Sequence, residues 1–358
     1  MAEDNPTFVV HHEQSLKHDI QQLPARAPNP DEIRLRIDKF GLTSNNITYA
    51  ALGHAFQYFK FFPVPGPWSA LPVWGFATIT ESRVAALKEG ARVYGYFPAA
   101  REAVLSVAGT TEIGFRVDRP ELPPTHALYG QYTLLDRDPF AVPGQDDLMM
   151  VMRGLFITGL LLADYLDVSQ RMGAQAVLIS SAASKTSYGL ARALQAAGKG
   201  QVIGLASARG AATARALGVY DRVVEYEEIA GLGPELSSVY VDVAGSAPVR
   251  KALLERLGAS LRGIIAVGLT HWNEGAFGGN EGRVPVETFF APGWSARRQK
   301  ELGAAFFTQL RAGWLAQMES AQRHFKLVHK DGAQALSEAF DTLVAGRASP
   351  DEAWVHTL

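Results

Sequence analysis

The sequence predicts an α/β protein of two domains, a β-rich partial barrel and a doubly wound parallel sheet. Before residue 147, short strand patterns are separated by prolines and glycines, whereas residues 176–268 alternate apolar runs with helical spacing. The length of 358 residues also exceeds what one hydrophobic core usually supports. We expect residues 1–147 and 322–358 to form the β-rich domain and residues 148–321 the parallel-sheet domain.

The composition narrows the class of protein. The chain is 47% hydrophobic and 20% charged, its formal net charge is −2, and no basic stripe suggests a nucleic-acid partner. It has no cysteine, which removes disulfides and thiolate nucleophiles and fits a reducing cytoplasm. The N-terminus lacks an apolar signal core, and the apolar stretch 148–163 is interrupted by Arg153. We expect a cytoplasmic protein without a membrane partner, and a buried helix at this stretch.

In the first domain, residues 32–40 alternate apolar and polar side chains, which predicts a half-buried antiparallel strand. A polar segment follows, and the prolines among the aromatic residues of 59–74 predict a packed loop. The same reasoning places three further strands at 73–80, 91–96 and 103–107.

In the second domain, a buried helix is predicted over Leu148–Tyr165, before strands and helices that alternate. The predicted strands are 176–180, 201–205, 222–224, 239–243 and 263–268, and the helices between them are 188–197, 211–217 and 249–257. One long amphipathic helix is predicted over 296–321. The remaining strand, helix and strand are expected to return to the first domain.

The first strand-to-helix turn of the parallel sheet lies where open α/β sheets bind ligands. The dinucleotide fingerprint places glycines where Ser181, Ser184 and Ser187 stand, so that the backbone can approach a pyrophosphate. Serine is small, and its hydroxyl could donate to phosphate. A cofactor-binding turn, which would include Lys185 and Thr186, and a purely structural turn are both consistent with these residues.

Two further observations narrow down which ligand this turn could bind. A triphosphate-binding loop is excluded because its first glycine would have to be Ile179, inside the strand. After the second strand, Ser207 and Arg209 stand where a cofactor with a free 2′-hydroxyl prefers an acidic residue. A small hydroxyl residue followed by arginine suits a 2′-phosphate, which favours NADP(H), and the alternative is that Arg209 is a solvated surface residue.

Together these segments resemble the medium-chain dehydrogenase/reductase superfamily in order and spacing. IDKFGLTSNNITYAALGH resembles its first substrate-side loop, and LPVWGFATITES its Pro…Gly-His-Glu strand. LFITGLLLADYL resembles the helix that carries a cofactor-side threonine, here Thr158. The NNITYA loop and the Ser-Lys-Thr-Ser turn look most like a divergent branch. The resemblance implies a GroES-like partial barrel, a Rossmann-like cofactor domain and a homodimer.

The chain departs from the zinc-dependent members of that superfamily. Where they carry Gly-His-Glu, Gly75 is followed by phenylalanine and alanine, and the first loop has no cysteine. His11, His12 and His18 lack a partner motif, and we expect them on the surface. Catalytic zinc needs three protein ligands, so no metal is predicted.

Zinc-free relatives reduce the conjugated double bond of enones, quinones or enoyl thioesters, and donors in the site stabilise the resulting enolate. The resemblance assigns Asn46 to shaping the site, and Tyr49 could donate a proton or a hydrogen bond. His271 follows the fifth strand at its carboxyl end, where it could act in proton transfer. The structural alternatives are that Asn46 caps a helix, Tyr49 packs and His271 is hydrogen-bonded in place.

Two functions therefore remain open. The first is an NADPH-dependent reductase of an activated alkene or carbonyl. A cluster of aromatic residues in the first domain could line the pocket for its apolar or aromatic substrate, or could simply be part of the core. These aromatic residues are Phe56, Phe59, Phe61, Phe62, Trp68 and Trp74. The second is a relative without hydride transfer that binds a CoA-type or other phosphate-bearing ligand, as a lyase, hydrolase or binding protein. The serine-rich turn favours the second, and the fold with Ser207 and Arg209 favours the first.

Overall fold

A computed structural model of the chain divides it into two units. The first unit comprises Met1–Val151 and Lys326–Leu358, and the second comprises Met152–Phe325. The predicted domains ended at residues 147 and 321, so the observed junctions lie slightly later in the sequence. The structure describes residues 4–14, 16–24, 26–267 and 279–358.

The first unit consists mainly of short antiparallel strands. Its elements up to residue 134 are β1 (Pro6–His11), β2 (His18–Gln22), β3 (Glu32–Leu42), α1 (Ser44–Ala51), β4 (Pro63–Val64), β5 (Trp68–Ala70), β6 (Pro72–Ser82), β7 (Arg92–Pro98), β8 (Glu102–Ser106), β9 (Gly109–Thr110), β10 (Gly114–Arg116) and β11 (Gln131–Leu134). As the alternation in β3 predicted, Ile33, Leu35 and Ile37 are buried while Arg36 is exposed. The proline-rich stretch 59–74 was predicted to be a loop, but it contains β4 and β5, which pair with each other.

The second unit is built around a parallel sheet with helices between its strands. Its elements are α2 (Asp146–Val168, which begins in the first unit), β12 (Ala176–Ile179), α3 (Lys185–Ala197), β13 (Gln201–Ala206), α4 (Ala208–Ala216), β14 (Arg222–Glu225), β15 (Ser238–Asp242), α5 (Ala247–Leu257), β16 (Leu261–Ala266), β17 (Gly279–Glu281), β18 (Val284–Thr288), α6 (Ala291–Leu302) and α7 (Ala304–Ala321). Among the described residues, the strand order is β14-β13-β12-β15-β16-β18-β17, and only β17 runs antiparallel to its neighbour. The order reverses at β12, so the turn after β12 lies at the topological switch point of the sheet.

Helix α2 is longer than the predicted Leu148–Tyr165. Its 23 residues, with a mean hydropathy of 1.5 over the most apolar window, are long and apolar enough to cross a membrane by length and composition. Half of that window is buried inside the fold, as in the core helix of a globular protein. Gly159 in this helix lies against the backbone of Gly189 in α3, where a β-carbon would meet the Leu190 nitrogen at 2.5 Å.

The prediction of one long helix over residues 296–321 is wrong. The chain forms α6 and α7 instead, and they are separated by Gly303, whose φ of 57° breaks the helical backbone. The spacing of apolar residues continues across this glycine, and a prediction from periodicity alone therefore joined the two helices into one.

The C-terminal segment belongs to the first unit, as we expected. It forms β19 (Lys326–Asp331), α8 (Ala333–Val344) and β20 (Glu352–Thr357). Strand β20 pairs with β3, with Val355 opposite Gly41, and so extends the larger sheet. In the described part of the unit this sheet has the order β19-β20-β3-β6-β7-β11-β10-β9 with β8 also paired to β3, and β1, β2, β4 and β5 form a second sheet.

Candidate functional site

The turn after β12 keeps the backbone conformation of a glycine turn without a glycine. Ser181 has a φ of 48°, in the left-handed region that favours glycine. Two tyrosines that flank β14 hold this turn. The Ser181 amide donates to the hydroxyl of Tyr226 at 3.0 Å, and the hydroxyl of Tyr220 donates to the carbonyl oxygen of Ala182 at 2.7 Å. Strain in a non-glycine residue persists only where the surroundings fix it, and these contacts do so.

The other two serines of the turn use their hydroxyls internally. Ser184 is the N-cap of α3, and its Oγ accepts from the Ser187 amide at 3.2 Å. Ser184 Oγ also donates to Ser187 Oγ at 2.9 Å, and Ser187 Oγ donates to the carbonyl oxygen of Ser180 at 2.9 Å. Ser187 is fully buried, where the fingerprint requires a small residue for close packing of helix and strand. Both hydroxyls therefore stabilise the turn itself.

The donors that face outward at this turn are mainly backbone groups at the start of α3. Among the described residues, the amide nitrogens of Ala183 and Thr186 have no acceptor. Lys185 and Thr186 are partly exposed, and Lys185 Nζ lies 5.4 Å from the ring centre of Phe325. Amide donors at a helix N-terminus, next to an ammonium group, suit an anion.

The end of the neighbouring strand β13 places the two predicted 2′-phosphate residues together. Ser207 is the N-cap of α4, and its Oγ accepts from the Gly210 amide at 3.3 Å. Arg209 lies in the first turn of that helix, and both Ser207 and Arg209 are exposed. Thr158, in contrast, donates its hydroxyl to the Gly154 carbonyl oxygen of its own helix at 2.8 Å, so its cofactor contact stays a prediction.

A buried ion pair beside the turn was missed from the sequence. Asp242 ends β15, is fully buried, and accepts from Arg250 Nη2 at 3.0 Å. Its other oxygen accepts from the Tyr240 hydroxyl at 3.0 Å and the Gly245 amide at 2.9 Å. A carboxylate that ends an apolar strand must be paired, so Asp242 itself was the available signal. The network fixes the loop that follows β15 at the carboxyl edge of the sheet.

In the first unit, the structure gives Asn46 the capping role. Asn46 Oδ1 accepts from the Thr43 amide at 2.8 Å, which completes a capping box at the start of α1. Asn46 Nδ2 donates to the Pro72 carbonyl oxygen at 2.9 Å, and the side chain is buried. Asn46 therefore ties the NNITYA helix to β6, and both of its polar atoms are occupied.

Tyr49 lies one turn further along α1, inside a cluster of buried aromatic side chains. Its hydroxyl accepts from Asn45 Nδ2 at 2.7 Å, and its ring centre is 4.6 Å from that of Tyr58 and 5.6 Å from that of Tyr96. Burial is the largest cause of a strongly raised pKa for Tyr49. Its phenol therefore stays protonated at neutral pH and is chemically a donor.

Most of the predicted aromatic concentration is core. Phe59 and Phe61 are buried, whereas Phe56, Phe62 and Trp74 are partly buried against the same core. The surface prediction for the three histidines was wrong for His11, which is 8% exposed and packs its ring on Trp68. His12 and His18 are half-buried. The described residues contain no group of three or more His, Asp or Glu side chains arranged to bind a metal. His271 lies outside the described residues.

Comparison with known proteins assigns the chain to a family. A search of curated proteins finds no match. The family model described as "Protein of unknown function (DUF2855)" matches residues 40–349. The chain belongs to the DUF2855 family.

Solved structures show which fold this DUF2855 chain has. It is similar to CurA from Vibrio vulnificus in complex with NADPH, with 16% identity, 98% of each chain covered and a TM-score of 0.60. It is also similar to the yhdH oxidoreductase from Salmonella enterica in complex with NADP, with 14% identity, 99% of each chain covered and a TM-score of 0.55. The quinone oxidoreductase from Coxiella burnetii shares 14% identity over 99% of this chain and 100% of that chain, with a TM-score of 0.58. The fold expected from the medium-chain dehydrogenase/reductase resemblance is thereby confirmed.

Proposed function

We propose that this chain is an NADP(H)-dependent reductase of an activated alkene or carbonyl that works without zinc. The observation that carries the proposal is the turn after β12. Ser181 adopts the left-handed conformation of the fingerprint glycine, and the turn leads directly into the N-terminus of α3. NADPH and NADP in the similar CurA and yhdH structures support the choice of cofactor.

The residues present fit such a cofactor. The amides of Ala183 and Thr186, the positive end of α3 and the Lys185 ammonium would hold the diphosphate, and Arg209 would bind a 2′-phosphate. Because Ser184 and Ser187 hydroxyls are used within the turn, binding would depend on the backbone rather than on serine side chains.

When bound, the reduced nicotinamide would supply the hydride for an enone, quinone or enoyl thioester. The chain's part is to hold the substrate and to stabilise the negative charge on its oxygen. Tyr49 is suited to this because its phenol is protonated and its oxygen already accepts from Asn45. The aromatic surroundings of Tyr49 favour a flat, apolar substrate.

Titration of NADPH fluorescence tests the proposal directly. Wild type should bind NADPH, and Lys185→Ala should weaken binding roughly tenfold because a charged contact to phosphate is lost. The control Lys199→Ala removes an exposed lysine that pairs with Asp167, and it should bind like wild type. Wild type that binds coenzyme A but not NADPH would replace this proposal with the second function, a CoA-type ligand without hydride transfer.

Two further parts of the proposal are separately testable. NADPH oxidation should be unchanged after dialysis against a strong chelator, because no zinc takes part. The homodimer implied by the resemblance stays a prediction, and light scattering coupled to gel filtration would give a mass of two chains.

A further inference from the structure

The side chain of Tyr96 in β7 has a buried hydroxyl without a partner. Tyr96 is fully buried, and among the described residues no group reaches its Oη with hydrogen-bonding geometry. Its own carbonyl oxygen, in contrast, accepts from the Tyr132 hydroxyl at 2.6 Å. A buried polar group without a partner is destabilising, so its presence calls for a specific role.

The Tyr96 hydroxyl belongs to a group of phenols that converge in the first unit. The rings of Tyr49 and Tyr96 are perpendicular, and their hydroxyls are close enough to shift each other's pKa. Tyr58 and Tyr129 belong to the same group: their hydroxyl oxygens are 3.4 Å apart, the Tyr58 ring centre lies 4.6 Å from that of Tyr49, and the Tyr129 ring centre lies 4.8 Å from that of Tyr96. Burial raises the pKa of Tyr96 well above its ordinary value, so this phenol too remains protonated.

Asn45 determines the direction in which Tyr49 donates. Asn45 Nδ2 is a donor, and the Tyr49 oxygen accepts from it at 2.7 Å. The Tyr49 proton therefore points away from Asn45, to the side on which the Tyr96 hydroxyl lies. Tyr49 and Tyr96 are then two O–H donors in one apolar place, an arrangement that suits a single oxygen atom carrying negative charge.

The edge of this cluster is partly exposed. Asn45 and Trp74 are only half-buried, and the Trp74 ring centre lies 5.0 Å from that of Tyr96. A flat molecule that stacks on the Trp74 side would bring an oxygen atom toward the two phenols. The aromatic rings around them favour an uncharged head group over a carboxylate.

We propose that Tyr49 and Tyr96 together bind the carbonyl oxygen of a flat, uncharged substrate of the enone or quinone class, and that Asn45 is the positioning residue for Tyr49. The inference rests on the proposed reductase function and specifies its substrate site. The two phenols donate hydrogen bonds as charge develops on the oxygen, and no bond to the protein forms.

Tyr96→Phe is the first test, with NADPH oxidation by 2-cyclohexen-1-one and 1,4-naphthoquinone as readout. The variant should lower kcat roughly 10²-fold, the usual loss when one such donor is removed. Its Tm should rise, because an unpartnered buried hydroxyl is gone. The control Tyr188→Phe removes a buried tyrosine hydroxyl of the second unit, 2.7 Å from Ser320 Oγ, and should keep most of the activity. A Tyr96→Phe variant with wild-type kcat overturns the proposal.

Asn45→Asp tests the positioning role without a change of shape. At pH 8 the carboxylate that this substitution introduces would accept the hydrogen bond from the Tyr49 hydroxyl. The activity of Asn45→Asp should therefore fall to the level expected of a Tyr49→Phe variant, which has no hydroxyl to donate. As pH is lowered, the introduced carboxyl group gains a proton and can donate, and activity should partly return. A simple structural role would give no such pH-dependent recovery. Wild-type activity of Asn45→Asp at pH 8 contradicts the assignment.

A binding measurement separates this inference from the reductase proposal. Without NADPH, 2-cyclohexen-1-one should produce a near-ultraviolet tyrosine difference spectrum in wild type and a much smaller one in Tyr96→Phe. If NADPH does not bind, the reductase proposal fails, and a Tyr96-dependent spectrum still supports the carbonyl site. If NADPH binds but neither spectrum nor kcat depends on Tyr96, only the present inference fails.

Discussion

The amide of Ser181 donates to the hydroxyl of Tyr226 at 3.0 Å, although these residues follow different strands, β12 and β14. The contact crosses the carboxyl end of β13, which lies between them in the sheet. It satisfies the amide of a strained residue at the switch point. The shape of the turn therefore depends on a tyrosine 45 residues further along the chain.

Tyr226→Phe should destabilise the second unit. The Ser181 amide loses its acceptor, and a poorly solvated amide without a partner costs about 1 to 2 kcal/mol. Urea unfolding followed by circular dichroism measures this free energy. The comparison variant is Tyr226→Trp, which keeps a large ring but cannot place an acceptor at the same point, and it should be at least as destabilised. Equal unfolding midpoints for Tyr226→Phe and wild type would show that the contact contributes nothing.

Ser181→Gly should stabilise the protein by about 1 kcal/mol. Glycine adopts a φ of 48° without the steric cost that a β-carbon brings. Ser181→Ala keeps the β-carbon and should show no such gain, which makes it the matched control. The test is to compare the thermal unfolding temperatures of wild type, Ser181→Gly and Ser181→Ala. If Ser181→Gly is less stable than wild type, contacts of the serine side chain compensate for the strain.

Arg209→Ala should reduce the preference for NADPH over NADH. Loss of one charged contact to a 2′-phosphate costs about 1.5 to 3 kcal/mol, or roughly 10- to 150-fold in Kd for NADPH, with little change for NADH. Arg215→Ala, at the other end of α4 and paired with Glu225, is the control and should leave both affinities unchanged. If Arg209→Ala binds both cofactors as wild type does, Arg209 is a solvated surface residue.

Asp242→Ala should be severely destabilising. It leaves the Arg250 guanidinium buried without its carboxylate and removes the acceptor of the Gly245 amide, and breaking a buried ion pair costs about 3 to 5 kcal/mol. The double variant Asp242→Leu/Arg250→Leu should be less destabilised, because no charge remains buried. Chemical denaturation of both proteins tests this, and a single variant more stable than the double one would refute it.

Stability should decrease between pH 6.5 and about 4 because of His356. Both ring nitrogens of this fully buried histidine lack partners among the described residues, and its ring stacks on Phe40 at 5.9 Å. Burial lowers its pKa from 6.5 to about 4, with the nearby Lys330 lowering it further and Asp331 opposing. The unfolded chain therefore binds a proton that the folded chain does not, so unfolding becomes easier as pH falls through this window.

The effect of His356 approaches about 3 kcal/mol at pH 4 and is absent above pH 7. His356→Phe should remove this dependence, whereas His329→Gln, an exposed residue of β19, should retain it. Unfolding free energies measured from pH 7 to pH 4.5 would show the two slopes. Parallel curves for wild type and His356→Phe would exclude His356 as the cause.

The sequence predicted five strands of the parallel sheet, most of them short apolar runs, but it missed β17 and β18, in which polar residues interrupt the apolar pattern. Residues 176–180 were predicted and β12 covers Ala176–Ile179. The break at Gly303 was missed because a single glycine inside a helical pattern can be tolerated, and its φ of 57° is not visible in the sequence.

The candidate sites could be predicted only in part. The turn from Ser181 to Ser187 was found because its position depends on local sequence. The Tyr226 contact, the Asp242–Arg250 pair and the Tyr96 hydroxyl were not, because each depends on side chains that meet only after distant segments fold. For Asn46 the sequence left a site role and a cap open, and the capping geometry favours the cap.

Strand β20 pairs with β3, so the first unit draws its larger sheet from both ends of the chain, while the second unit is one continuous stretch. During synthesis the second unit is complete at Phe325, before the last strand of the first unit has left the ribosome. Strand β8 covers the first half of that edge of β3, but residues 40–42 must stay uncovered until β20 emerges. Translation pauses or C-terminal truncations should for this reason produce aggregation through β3 rather than loss of the parallel sheet.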